Sequence, residues 1–284
     1  MQSSTGVLES QVDWVTVAYH GHEQTDILGD FANGLIAGEV AAGNDPRPFD
    51  VNGYVGWRVG RVRYGERAEA GLLQLSGQLA EDHLHDLVPY ASTVTRLDLA
   101  VTLRLDPPDI LYGTGQYAQF VDHYHATEGS ALPWEVADAD TGHTVYLGSR
   151  RSDAFYRLYN KEQQCRADAD AEGLEVYRAC WRHELELHDD AAKAVAVALL
   201  AEPARAPALS GYVGDYVRKH GGSVDWDTSA APAQVGSFRR RSDRATRLRW
   251  FAKQVAPALD RELQRGNQLE VWRALGLQGA PTAE

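Results

Sequence analysis

The chain has 284 residues, enough for one large domain or two modest ones with a substantial core. Its 44% hydrophobic and 24% charged residues are those of an ordinary globular protein; no apolar run approaches the roughly 20 residues that cross a bilayer, and the start MQSSTGVLES carries neither a basic flank nor an apolar core, so a cytoplasmic protein is expected. Two cysteines, Cys165 and Cys180, exclude a disulfide framework and a four-cysteine zinc site, and a net charge of −12 argues, as a sum, against a nucleic-acid partner.

Residues 11–19 alternate well enough for a first strand, with Val12, Trp14, Thr16 and Ala18 on one side. Thr25–Val40 is weakly helical, and Gly43–Phe49 is a loop by its Gly, Asn, Asp and Pro content. Tyr54–Tyr64 reads as a strand or hairpin, Leu72–Ser76 as a strand, and a helix opens near Ser76 or Gly77. Val94–Leu105 is the clearest strand: Leu97, Leu99, Val101 and Leu103 form an apolar face, with Arg96, Asp98, Ala100 and Thr102 opposite. Tyr112–His125 is read as a helix and Glu128–Asp140 as a loop. Thr144–Leu147 and Ala154–Asn160 flank a Gly-Ser-Arg-Arg-Ser-Asp turn and make a hairpin. After a polar helix or excursion to about Gly173, Tyr177–Leu187 is another strand, with Arg182, Glu184, Glu186 and His188 on one face. Asp190–Ala204 and Leu209–Lys219 are helical. These elements predict an α+β fold, a largely antiparallel central sheet flanked by helices, over residues 1–220, then a linker over 221–237 and a basic helical segment over 238–284. Between Gly236 and Arg273 stand ten basic and four acidic residues, so the negative charge belongs to the rest of the chain.

Three strands therefore present polar faces: Arg96 with Asp98, Glu184 with Glu186, and Arg157, Tyr159 and Lys161, which share a side if the strand stays extended. If the strands are neighbours, oxygen ligands for a hard cation such as Mg²⁺ or Mn²⁺ meet a tyrosine. A phenol beside fixed positive charge ionises more easily and can attack a phosphate that the cations hold. The plainer reading gives each strand a solvated face with arginine–carboxylate pairs and makes Tyr159 an ordinary half-buried strand residue. His20–His22, His83–His85 and His123–His125 repeat His-x-His, but the last two pairs fall on helices, where i and i+2 diverge. In the tail, Arg239, Arg240, Arg241, Arg244, Arg247, Arg249 and Lys253 interleave with Phe238, Trp250 and Phe251, a pattern suited to DNA phosphates and bases, or to an amphipathic helix docked on the core.

VDWVTVAY at 12–19, LLQLSGQ at 72–78, VTRLDLAV at 94–101, TVYLGSRRSDAFYRLYNK at 144–161, RHELEL at 182–187 and RLRWFAKQVAPAL at 247–259 together resemble the replication initiation factor family (Rep_trans), which holds plasmid rolling-circle initiators and related conjugative-element relaxases. The resemblance implies an endonuclease that nicks one strand of origin DNA and joins a tyrosine to the 5′ phosphate. The tyrosine's nearest match is Tyr159, with Tyr156 three residues away as the alternative, and Arg157 and Lys161 steadying the phosphate. It places the Mg²⁺ or Mn²⁺ carboxylates on Asp98 and on Glu184 or Glu186, places origin recognition on Arg239–Lys253, and implies a host helicase as partner; Asp98, Glu184 and Glu186 are together taken as the candidate ligands, and a homodimer is expected. Thr102 departs from the pattern where a second acidic residue is expected, which feeds the rival of a DNA-binding replication or regulatory protein without catalysis. A hydrolase built on Glu184 and Glu186 alone is a third reading.

Overall fold

The computed structural model describes residues 4–228 apart from 107, 128–133, 140, 141, 149, 151 and 225. The chain opens with the long strand β1 (Ser4–His20), and Gly21, at φ 100°, turns it into α1 (His22–Ala41). Three hairpins follow through β2 (Arg47–Val51), β3 (Tyr54–Val59), β4 (Val62–Arg67) and β5 (Ala70–Ser76). Their two-residue turns begin at Asn52, Gly60 and Ala68, all at positive φ, as tight hairpins of this hand require. Next come α2 (Gln78–Leu87), β6 (Thr93–Asp106), α3 (Tyr112–Thr127), β7 (Trp134–Ala139), β8 (Gly142–Leu147) and β9 (Ala154–Asn160). The described chain finishes with α4 (Lys161–Ala167), α5 (Ala171–Val176), β10 (Cys180–His188), α6 (Asp189–Ala201) and α7 (Arg205–Lys219).

The strands form one sheet in the order β2-β3-β4-β5-β1-β6-β10-β9-β8-β7, antiparallel at every pairing, so the fold is the α+β class that the sequence predicts. Alternation gives the sheet two unlike faces. Leu97, Leu99, Val101 and Leu103 of β6, Leu185 and Leu187 of β10, and Tyr156 and Leu158 of β9 are fully or almost fully buried in one cluster with side chains of α1, α2, α3, α6 and α7. Each such aliphatic side chain contributes roughly 1.5–3 kcal/mol by leaving water, which fixes the opposite, polar face as the one left open. A smaller apolar group, Ala18, Phe49, Tyr54, Ala70 and Leu72, sits apart from that cluster.

Four local expectations are corrected. The loop over Gly43–Phe49 gives way to β2 at Arg47, and the loop over Glu128–Asp140 contains β7. Val12 does not share a side with Trp14: a register shift between them lets Val12 pair with Leu99 on the apolar face while Trp14 pairs with Asp98 on the polar one. Lys161 is no strand residue either. Asn160 caps α4, its Oδ1 accepting from the Gln163 amide at 3.0 Å, so the chain turns helical at Lys161.

The chain divides into two units, Met1–Phe238 and Arg239–Glu284. Arg239, Arg240, Arg241, Arg244, Arg247, Arg249 and Lys253 lie outside the described residues, as does most of the stretch read as a linker.

Candidate active site

The open face is assembled by register. β6, β10 and β9 are consecutive in the sheet; Asp98 is the Cα partner of Glu186, Glu184 of Arg157, and Arg182 of Tyr159. Side chains of Cα partners in antiparallel strands point the same way, so the three strands read as polar-faced in the sequence put their polar residues on one surface. That surface is hollowed into a cavity of about 560 Å³ lined by Asp98, Glu184, Tyr159, Arg157, Arg96, Arg182, Lys161 and Arg150 among others.

A chain of contacts runs across its floor. The Tyr159 hydroxyl donates to Glu184 Oε2 at 3.2 Å, Arg157 Nη2 donates to Glu184 Oε1, and the same nitrogen lies 4.0 Å from Asp98 Oδ2. Arg96 grips Asp98 with both prongs, Nε to Oδ1 at 2.8 Å and Nη2 to Oδ2 at 2.5 Å. Its Nη2 also stands 2.8 Å from Glu186 Oε2, out of hydrogen-bond alignment, and Glu186 Oε1 is 3.0 Å from His188 Nε2. Asp98, Glu184 and Glu186 are all buried. Burial first, and then the Glu184 and Glu186 carboxylates, bring the Asp98 carboxyl up to about 8 against the downward pull of Arg96. Burial also raises Glu186, but His188 and Arg96 more than compensate and hold it below the ordinary range.

The expected easy ionisation of Tyr159 is overturned. Burial first, and then the Glu184 carboxylate, drive its pKa well above 10, against the opposing pull of Arg182 and Arg157. The phenol is protonated at rest, and Glu184 Oε2 is the acceptor placed beside it. Tyr156, three residues back and on the other side of β9, is fully buried with its hydroxyl 2.6 Å from His183 Nδ1, so it belongs to the core and not to the cavity. Lys161 reaches the cavity from α4, with Nζ 2.9 Å from Gln164 Oε1 and 6.0 Å from the centre of the Tyr159 ring; burial and Arg182 lower its pKa.

The alternation of β10 puts Arg182 on the face of Glu184 and Glu186, and the structure adds it to the site. It is 2% exposed, and its guanidinium contacts Glu9, Asp13 at 3.1 Å and Thr102 Oγ1 at 2.9 Å. Glu9 Oε1 also accepts from Thr102 at 3.0 Å, and Glu9 and Thr102 are Cα partners. The acidic group at the level of Thr102 therefore comes from β1, a strand 93 residues away in sequence, which no reading of β6 alone could supply. Among the described residues no group of three or more His, Cys, Asp or Glu is arranged to hold a metal ion, and the His-x-His pairs stay outside the cavity. The donor chemistry nonetheless suits a hard cation: Asp98, Glu184 and Glu186 are three buried carboxylates, the oxygen ligands such an ion takes.

The model of the family described as replication initiation factor matches residues 92–265, more than half of the chain. The chain belongs to the replication initiation factor family. The match takes in β6, β9 and β10, the strands that carry the cavity floor. Two family relatives from Staphylococcus aureus, both described as replication initiation protein, are 34% identical over 98 residues. That alignment covers 34% of this chain and 26% of each relative, so the chain spans about a quarter of their length. The solved rolling circle replication initiator protein from Geobacillus stearothermophilus superposes with a TM-score of 0.50 at 19% identity, over 83% of this chain and 94% of that one, and shares the fold.

Proposed function

We propose that the protein is a replication initiator that nicks one strand of origin DNA, with Tyr159 as nucleophile, to start rolling-circle replication or conjugative transfer of a plasmid or mobile element. The observation that carries this reading is the hydrogen bond from the Tyr159 hydroxyl to Glu184, beside Asp98 in an arginine-lined cavity, in a chain of this family. Tyr159 Oη attacks the scissile phosphorus; the new P–O bond to tyrosine replaces the P–O3′ bond, and the 3′ oxygen leaves and takes a proton from water. The phenol proton passes to Glu184 Oε2, the nearby acceptor that a high-pKa nucleophile needs. Arg157 and Lys161 neutralise phosphate oxygens as charge builds on them. The phosphotyrosine conserves the bond energy, so the strand can be rejoined.

Asp98, Glu184 and Glu186 are the residues that would hold Mg²⁺ or Mn²⁺, which when bound supplies Lewis-acid polarisation of the phosphate. The unit after Phe238 reads the origin through Arg239–Lys253, and a homodimer with a host helicase completes the assembly. The proposed place of work is the cytoplasm, where origin DNA would be met; among the described residues no helix is long and apolar enough to cross a membrane.

The test is incubation with supercoiled plasmid carrying the DNA that flanks the gene, with Mn²⁺ or Mg²⁺. Nicked circles and a covalent protein–DNA adduct are expected from wild type, and neither from Tyr159→Phe. An adduct formed equally well by Tyr159→Phe overturns the assignment. DNA binding without an adduct under either metal favours the non-catalytic rival.

A further inference from the structure

The polar face continues past the cavity. Beyond β1 it extends over the hairpins, and the register sets Arg47, Arg58 and Arg63 in one row across β2, β3 and β4. Arg63 is the Cα partner of Gln74, Gln74 of Thr16, and Thr16 of Arg96, so the row lies on the surface that carries Asp98 and Tyr159. With neighbouring strands about 4.8 Å apart, the line from β6 to β2 runs for about 24 Å. Trp14 joins row to cavity: its ring centre is 4.4 Å from the Arg63 guanidinium and 4.8 Å from that of Arg96.

Like charges directly opposite one another weaken an antiparallel pair. Arg47 faces Arg58 and Arg58 faces Arg63, yet among the described residues none of the three forms an ion pair. Arg63 Nη1 is buried without a hydrogen-bond partner, and burial, Arg58 and Arg96 together lower the Arg63 pKa to about 10. A buried donor left unsatisfied destabilises the structure around it. An arriving anion removes that cost and the repulsion together.

We propose that Arg47, Arg58 and Arg63, joined through Trp14 to Arg96, form a phosphate track for the single DNA strand that enters the cavity at Tyr159. The assignment of that strand as substrate rests on the nicking reading. A single file of guanidinium groups matches one phosphate chain and not the two of a duplex, and arginine binds phosphate oxygens through a fork. In a chain of net charge −12, an unpaired local row is what guides a polyanion to one place.

The full chain is titrated, by fluorescence anisotropy over a series of salt concentrations, with a fluorescein-labelled single strand of about 20 mixed-sequence nucleotides. Arg47→Gln/Arg58→Gln/Arg63→Gln is expected to bind at least about tenfold more weakly and to flatten the log–log salt slope by about 2, from about 0.7 per phosphate. Arg47 and Arg58 are exposed, so Arg47→Gln/Arg58→Gln keeps the fold and flattens the slope by about 1.4. Lys193→Gln/Lys219→Gln, on α6 and α7, is expected to bind as wild type. Unchanged binding in the triple variant overturns the track, as does an equal loss in the lysine pair or equal competition by the same sequence as a duplex. Adduct formation at Tyr159 is scored separately on the same strands. An adduct with unchanged triple-variant binding removes the track and keeps the nicking reading; weakened triple-variant binding without any wild-type adduct does the reverse.

Discussion

Glu184 carries two tasks with its two oxygens, Oε1 toward Arg157 and Oε2 toward Tyr159. Glu184→Gln keeps the shape and removes the proton acceptor, so single-turnover adduct formation should slow by about 10²–10⁴, the usual share of a general base. The two tyrosines of β9 are separated by parity, and the separation can be measured. Tyr156→Phe should still form adduct while urea denaturation shows a loss of about 1–3 kcal/mol, because His183 Nδ1 loses its buried partner. Arg182, in the lining of the cavity, is held by Glu9, Asp13 and Thr102. Truncating it to Ala leaves two carboxylates facing each other, a change that costs about 3–5 kcal/mol when the pair is buried. Lysine, a point charge, should not restore the stability that a three-armed fork provides.

At the scale of elements, the turn from β9 to α4 is the piece that delivers Lys161. Asn160→Ala removes a helix cap and should lower the melting free energy by about 1 kcal/mol. Adduct formation should fall further than that loss alone accounts for, since Lys161 is the first residue the cap orders. The alternation of β6 and β10 was legible because each has one face packed by helices, and a period of two survives in the sequence wherever one face is buried. The side of Tyr159 followed from the same period. Lys161 broke the pattern because a cap residue ends a strand without altering its composition. Asn52-Gly53 is the strongest short hairpin signal in the chain, but the prolines before it give β2 the composition of a loop. The partner of Thr102 was beyond reach for another reason: local sequence does not record which distant strand becomes a neighbour, and Glu9 lies on β1.

Across the whole molecule, core and cavity are two sides of the same strands, so stability and activity are coupled through β6. Leu99→Ala should cost about 2–5 kcal/mol from its place at the centre of the helix-covered face. Native-state hydrogen exchange should show the loss spread over β1, β6 and β10 together, since Leu99 lies opposite Val12 on one side and Leu185 on the other. β1 pairs with β5 and β6, and the floor of the cavity closes only when β10 lies down beside β6. In time rather than space, β1 leaves the ribosome well before β10, which completes the floor. At about 5–20 residues per second, synthesis from His20 to His188 takes roughly ten to thirty seconds. Until then Asp98 has no Glu186 beside it and Tyr159 no Glu184. A nascent chain therefore lacks the cavity throughout most of its translation, and the proposed nicking could begin only once the core had been made.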